Sequence, residues 1–565
     1  MGAHRPSIIS GGPLDAEPLM GALTIGGYLR DVAARHGSAE ALVLHSGGQR
    51  ISWSYDELLA QACKVARALI ASGAGQGTRV GILMTNRPEF LAALFGAGLC
   101  GAVPVALSTF STPAELDHLL RASQVAVVLY EQRVLKKDFG AMLAELEPQI
   151  GCAPLYSQRY PFLRELVALG GVAGGDEPEE PSCAGAVIDW STFLARGTAV
   201  PERIVFERAD SVHPSDTGGI FFSSGTTSLP KGIVHSQRAF AIQWWRWPRV
   251  FVMREPVRSW TGNGFFWSGN VSMVVGSAFS SGGAVILQRY FDEAEALTLI
   301  GAERISFMAG RPHQWARLEA AANWAEADLS SLKYVTRGEI LKRHPSARFD
   351  WEEPMSFGTT ETMTICTSYG RDVSPEDYKG SCGPPLPGNT LKIVDPATGI
   401  PVPVGERGEM CIKGPTLMTG YLGKAPEQCL DAEGFYCTGD GGWVDEEGRF
   451  FWEGRLTDMI KTGGANVSPE EVDAVIARFP GIKRTQTVGV PDDLLGEMVV
   501  ACVVPLEGAV IEAQALTRFV REQLASFKVP RRVLLFSEAD FALTGNEKIK
   551  SADIRDKAAA RLSLG

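Results

Sequence analysis

Between residues 25 and 135 the chain alternates helix-patterned segments with short apolar runs, which narrows the folds open to it more than any other feature. Tyr55–Ala71 and Glu89–Leu99 carry apolar residues at helical spacing, whereas Arg79–Met84, Pro104–Ala106 and Val125–Tyr130 are short and strand-like. Strands separated by helices predict a layered α/β domain built on parallel strands. Residues 151–215 are less regular, with Gly170-Gly171, Gly174-Gly175 and the acidic run Asp176, Glu177, Glu179 and Glu180, and are expected to form a surface connection. Near residue 455 the character changes. Ser468-Pro469-Glu470-Glu471 supplies an N-cap serine, a proline at the first helical position and a glutamate to close a capping box. That helix is expected to run to Arg478, followed by strands at 486–490 and 498–505, a helix at 511–526 and a strand at 533–536. The expected fold is therefore α/β: a large layered domain over 1–454, a joint at 455–458 and a small α+β domain over 459–565.

With 565 residues, 45% of them hydrophobic and 21% charged, the chain has the composition of a globular protein of two or more domains. Its net charge of −11 leaves no basic footprint for nucleic acid or anionic membrane, so a phosphorylated ligand must be gripped by local positive groups. The 10 cysteines are scattered without a C-x-x-C pair and are expected to be buried thiols of a reducing compartment. Residues 1–6 lead into polar, Gly/Pro-rich sequence without a signal-peptide apolar core. The longest apolar run, 91–107, is broken by Gly96, Gly98, Gly101 and Pro104, so no integral membrane segment is expected and the location is read as cytoplasmic.

Residues 222–232 read Phe-Ser-Ser-Gly-Thr-Thr-Ser-Leu-Pro-Lys-Gly. The apolar Gly219–Phe222 before them reads as a buried strand, and a helical-looking run begins near Ile233. Ser223, Ser224, Thr226 and Thr227 offer hydroxyls, Gly225 lets backbone approach a ligand, and Lys231 adds a mobile positive charge. This is a phosphate-gripping loop, and it lacks the Gly-Lys-Ser/Thr ending of a Walker A loop.

The loop resembles the nucleotide loop of the adenylate-forming enzymes, which include acyl-CoA synthetases, firefly luciferase and peptide-synthetase adenylation domains, and Ser228 replaces that family's third glycine. Four further segments follow in the family's order. Ser356–Glu361 resembles its Tyr-Gly-x-Thr-Glu segment, which implies that Phe357, Gly358 and Thr359 border the nucleotide, that Thr360 bonds the α-phosphate and that Glu361 ligates Mg²⁺. Tyr436–Asp440 resembles the Thr-Gly-Asp motif, with Asp440 accepting the ribose hydroxyls. Arg455 matches the ribose-binding arginine, Thr457 stands at the hinge where Asp or Lys is usual, and Lys461 with Gly463 and Gly464 matches the CoA-facing segment. Leu543–Lys550, after Lys528-Val529-Pro530-Arg531, resembles the C-terminal Gly-Lys motif, with Lys548 in the catalytic position, Glu547 in place of the glycine and Lys550 ranked second. One region departs. Where the family has Gly-Gly-Ala bordering the adenine, this chain has Arg337-Gly338-Glu339.

The resemblance implies that a carboxylic acid attacks the α-phosphate of ATP, giving an acyl-adenylate and pyrophosphate. The thiol of CoA then takes the acyl group and AMP leaves. Lys548 would serve the first step, and rotation of the small domain about Thr457 would bring Lys461–Gly464 in for the second. Acetate-using relatives carry tryptophan at the position of Gly358, so glycine implies an open acyl pocket, with Phe266 and Trp267 of the 262–269 segment as a wall and Phe265 equally assignable to the core. Together these imply a bulky hydrophobic acid as substrate, ATP and CoA as co-substrates and Mg²⁺ as cofactor. The alternatives are an acyl-AMP ligase that loads a carrier protein and a nucleotide-binding paralogue that has lost catalysis. The sequence leaves a homodimer open.

Overall fold

The computed structural model describes residues 5–17, 20–170, 184–223, 230–369, 373–378, 380–456, 458–462, 465–492, 495–524, 528–541 and 551–563. The helix Tyr55–Ala71 forms because Ser54 accepts from the Glu57 N–H while the Glu57 carboxylate accepts from the Ser54 N–H. It packs on the helix Pro88–Leu99, of which 11 residues are buried, and so the 91–107 run is a core helix followed by the strand Val103–Ala106. Among the described residues no helix is long and apolar enough to cross a membrane.

The first sheet has eight strands, in the order Val187–Asp189, Glu165–Leu169, Val127–Glu131, Arg79–Leu83, Val103–Ala106, Thr217–Ser223, Lys231–Ser236 and Gly420–Tyr421. From its first member to Thr217–Ser223 the strands run parallel, with helices on its faces. Two expectations are corrected here. Residues 165–169 and 187–189 are sheet strands, so part of the expected surface connection is core. The run after Ile233 is not helical: Lys231–Ser236 returns antiparallel to Thr217–Ser223, and the helix begins at Gln237. β-Branched Ile233 and Val234 pack on opposite faces of the strand, and Ser236 is the N-cap of the helix that follows.

A second, six-stranded sheet runs Tyr334–Val335, Phe307–Ala309, Arg258–Thr261, Ala284–Leu287, Glu40–Ser46 and Gln49–Ser54, parallel except for its last pair. A third, antiparallel sheet carries Tyr436–Val444 beside Phe450–Arg455. After Arg455 the chain builds a separate sheet from Ile460–Thr462, Ala465–Val467, Ile482–Asp492, Gly496–Pro505 and Arg532–Leu535. Its helix Pro469–Ile476 is capped by Ser468, but the Glu471 carboxylate turns away to Lys528 at 2.7 Å, and the helix stops short of Arg478.

The cysteine expectation fails for one pair. Cys411 and Cys437 lie directly opposite on neighbouring strands of the third sheet and form a disulfide with S–S 2.07 Å. Cys63, Cys100, Cys366, Cys382 and Cys502 are buried thiols, whereas Cys152 is exposed.

The two large sheets turn their carboxyl ends toward each other, where a buried ionic knot ties them. Glu131 ends its strand of the first sheet, and Arg289 lies two residues beyond Ala284–Leu287 of the second. Arg289 donates to Glu131 Oε1 at 2.6 Å and Arg87 to the same atom at 2.9 Å, while the Thr85 N–H and hydroxyl both donate to Oε2 at 2.7 Å. Burial opposes ionisation of Glu131, but the two guanidiniums and the Thr85 donors outweigh it and hold the carboxyl below its usual range. Removing the carboxylate leaves buried Arg87 to Glu89 and takes a charge partner from Arg289 as well. Glu131→Gln should therefore lose about 3–5 kcal/mol of stability, read from the urea midpoint; an unchanged midpoint would show that the knot is dispensable.

Candidate active site

Ser223 ends a strand of the first sheet, the 262–269 segment follows a strand of the second, Thr360 and Glu361 follow the separate strand Ser356–Thr359, and Asp440 and Arg455 lie in the third sheet. In the hairpin of the first sheet Ser223 pairs with Lys231, placing both at the base of the 222–232 loop, whereas Ser224, Gly225, Thr226 and Thr227 lie outside the described residues. The carbonyl of Pro230, where the loop rejoins its strand, lies 2.9 Å from Nε2 of His118 on the helix Pro113–Ser123.

Tyr421 joins two of the motifs. Its hydroxyl donates to Glu361 Oε1 at 2.8 Å and lies 3.0 Å from the Tyr436 hydroxyl, while Lys231 Nζ stands 5.8 Å from its ring centroid. Burial and the Glu361 carboxylate both push the Tyr421 hydroxyl well above its usual pKa, so it stays a donor. Glu361 is also fixed through its backbone, because its carbonyl accepts from the Met418 N–H at 2.7 Å. The turn that presents Thr360 and Glu361 is strained, with Met363 at φ 48° and Thr364 at φ 93°. Buried Gln243 restrains this turn by donating to the carbonyls of Thr362 and Ile365 at 3.2 and 2.7 Å. His235 lies buried beside the Thr360 backbone, and burial pushes its imidazole down to about 4, so it is neutral near pH 7.

Asp440 is buried and faces Arg455 across paired strands, with Arg455 Nη1 3.3 Å from its Oδ2. Trp452 Nε1 donates to Asp440 Oδ1 at 3.0 Å, and the Trp452 ring lies 6.5 Å from that of Phe357. Phe357, buried against Phe450, thus connects the Glu361 hairpin to the Asp440 strands.

Phe265 and Phe266 are both buried in the core, Phe265 packed on Phe90, and Phe266 forms an edge-to-face pair with half-buried Trp267, centroids 4.9 Å apart. Asn86 holds this wall from the first sheet: its Nδ2 donates to the Asn263 carbonyl and its Oδ1 accepts from the Phe265 N–H, each at 2.9 Å. Gly338 is buried against Val335 and Phe349, and no side chain fits there without displacing them. Its neighbours now have partners: Arg337, at φ 51°, offsets the burial that raises the Glu353 carboxyl, and exposed Glu339 pairs with Lys342. Lys461 is exposed, and its N–H donates to Glu497 at 2.7 Å. Thr457, Gly463, Gly464 and Lys548 lie outside the described residues.

The argument from Gly358 to an open acyl pocket is corrected. A Cβ at Gly358 would overlap the Thr364 carbonyl and lie 2.6 Å from the Ile365 Cα, so the missing side chain serves the close approach of the strands Ser356–Thr359 and Thr364–Ser368. No acyl-pocket volume follows from it. The sequence reading also missed Tyr421, Asn86, Gln243 and His235. Their partners lie far along the chain, 60 residues away for Tyr421 and 119 for Gln243, so no local pattern marks them.

Comparison with known proteins gives a consistent picture. The family profile described as "AMP-binding enzyme" matches residues 29–422, and "AMP-binding enzyme C-terminal domain" matches 471–548. A feruloyl-CoA synthase of Amycolatopsis sp is 28% identical over 529 residues, covering 92% of this chain and 96% of its own. An indoleacetate–CoA ligase of Aromatoleum aromaticum is 29% identical over 517 residues, covering 90% and 94%. Among solved structures, an anthranilate CoA ligase in complex with anthranoyl-AMP superimposes with TM-score 0.77 at 23% identity, over 98% of this chain and 100% of its own. At that identity the likeness shows the fold alone, that of the adenylate-forming enzymes.

Because the Cβ direction at Gly358 points into backbone, Gly358→Trp should lower the thermal midpoint by several degrees, and Gly358→Ala should lower it too. A Trp variant as stable as the parent would return residue 358 to the pocket wall.

Proposed function

The chain belongs to the AMP-binding enzyme family, and from that premise we propose that it is an AMP-forming acid–thiol ligase: it activates a bulky hydrophobic carboxylic acid with ATP and passes the acyl group to CoA. The observation that carries this reading is the single assembly in which Tyr421 holds the Glu361 carboxylate and underlies Lys231, beside the Asp440–Arg455 pair. The kinship with feruloyl- and indoleacetate-CoA-forming enzymes supports an aromatic acid.

In the first half-reaction a carboxylate oxygen of the acid bonds the α-phosphorus, the α–β bridging P–O bond breaks and pyrophosphate leaves. Lys231 and the groups Ser223, Ser224, Gly225, Thr226 and Thr227 grip the phosphates, and Thr360 bonds the α-phosphate. Asp440 takes the ribose diol with Arg455 beside it, and Phe357, Gly358, Thr359 and Gly338 border the nucleotide. Lys548 offsets the negative charge that develops on the α-phosphate. Glu361, fixed by Tyr421 and by the Met418 N–H, would hold Mg²⁺, which would neutralise phosphate charge.

In the second half-reaction the CoA sulfur bonds the acyl carbon, the C–O bond to AMP breaks and the thiol proton is released. Lys461, Gly463 and Gly464 serve the pantetheine side, after the 459–565 domain swings at Thr457 against the 1–454 domain. Phe266 and Trp267 form one wall of the acyl site.

Pyrophosphate release over a panel of acids, with and without CoA, tests this reading, and release with no acid would overturn it. Lys548→Ala should slow acid-dependent pyrophosphate release by roughly 10²–10³-fold and spare transfer from a synthetic acyl-adenylate to CoA. Equal loss in both assays would remove Lys548 from its assigned step. Tyr421→Phe frees the Glu361 carboxylate from its donor and should raise the Mg²⁺ concentration for half-maximal rate several-fold; an unaltered Mg²⁺ dependence would show that Tyr421 does not position Glu361.

A further inference from the structure

One large aromatic side chain at this face is neither core nor part of any motif. Phe110 is 55% exposed, yet the turn that carries it is braced on every side. Its neighbours Thr109 and Ser111 are both 4% exposed, and their carbonyls accept from Lys137 Nζ at 3.2 and 2.9 Å. The Phe110 N–H donates to Ser108 Oγ at 3.1 Å, and Thr112, two residues on, closes a capping box with Glu115 at the start of the following helix. The tip is therefore a fixed platform, and an apolar ring held in water on such a platform forgoes burial that a more mobile segment could find.

What the ring does touch is specific. It meets Phe266 edge-on, with centroids 5.4 Å apart at 83°, and Trp267 at 5.8 Å and 59°. Phe266 and Trp267 are themselves an edge-to-face pair, so the three rings make a continuous aromatic cluster, with Phe266 buried, Trp267 half-buried and Phe110 on the solvent side. Topology places this cluster beside the nucleotide groups. The Phe110 turn follows the carboxyl end of Val103–Ala106, whose parallel neighbour Thr217–Ser223 leads into the 222–232 loop. The helix after the turn reaches that loop through His118 and Pro230. The Phe110 turn thus lies between the phosphate-gripping segment and the aromatic wall.

We propose that Phe110 is a specificity-determining residue that closes the outer side of the acyl site, selecting flat aryl acids over flexible aliphatic ones. Rigid rings set edge to face offer a flat ligand aromatic contact without ordering a floppy partner, whereas an alkyl chain loses rotational freedom to lie against them. The inference rests on the acid-activating reading above.

The test compares the full-length chain with Phe110→Ala and Phe110→Tyr, using acid-dependent pyrophosphate release with cinnamate and with octanoate. Phe110→Ala should raise KM for cinnamate by about tenfold or more, change KM for octanoate by less than about threefold and leave KM for ATP within about twofold. Phe110→Tyr, which keeps the ring, should restore the cinnamate value to within about threefold. The thermal midpoint of Phe110→Ala should stay near that of the parent, since the ring is half in solvent. An unmoved ratio of the two acids in an active Phe110→Ala variant overturns this inference alone, and so does a parallel rise for both acids or for ATP. A parent chain that prefers octanoate to cinnamate overturns it as well. A parent chain that releases pyrophosphate with no acid of a wider panel overturns the acid-activating reading, and this inference with it.

Discussion

The carboxylate of Glu131 ties the two large, mostly parallel sheets together at their carboxyl ends. Twist alone does not lock them in that relation. Glu131 does so by binding Arg87 from its own sheet, Arg289 from the other, and the Thr85 amide and hydroxyl between them. A buried charge is tolerated only when its oxygens are satisfied, and here each accepts two bonds. The consequence reaches the segment that carries Phe266 and Trp267 through the next residue. Thr85 fixes the turn that carries Asn86, and Asn86 holds the backbone of 263–265 with a donor and an acceptor.

The segments of Glu361, Tyr421 and Asp440 are joined by shared hydroxyls. Tyr436 lies in the strand that carries Asp440, and its hydroxyl reaches Tyr421, which donates to Glu361. Three segments separated in sequence are thereby fixed relative to one another by neutral donors, which add no charge beside the Glu361 carboxylate. His235 follows the same logic, since its imidazole is kept neutral by burial next to Thr360. Strain at Met363 and Thr364 is held by Gln243 and by the hairpin hydrogen bonds, so Thr360 and Glu361 are presented without waiting for a ligand to order them.

Legibility in sequence followed the distance over which each signal acts. The helix Tyr55–Ala71 was readable to the residue because its period and its capping box are local. The strand of Arg79–Leu83 and the cap at Ser468 were readable for the same reason. The run at Ile233 was misread because an apolar run this short carries no period that separates a buried strand from the start of a helix, and only pairing with Thr217–Ser223 decides between them. Gly358 was misread because glycine states that space is needed and not which neighbour needs it; the neighbour is the Thr364–Ile365 backbone.

By itself, the sequence determined the α/β alternation, the order and identity of the chemical motifs, and an acidic net charge of −11. Each of these is written in adjacent residues or in totals. Only the tertiary structure decided that Cys411 faces Cys437, that Tyr421 serves Glu361, that Glu131 is the buried anion joining two sheets, and that Phe110 stands over Phe266 and Trp267. These are contacts between distant segments whose free energy depends on strand register and on the exclusion of water, and neither exists until the sheets have closed on one another.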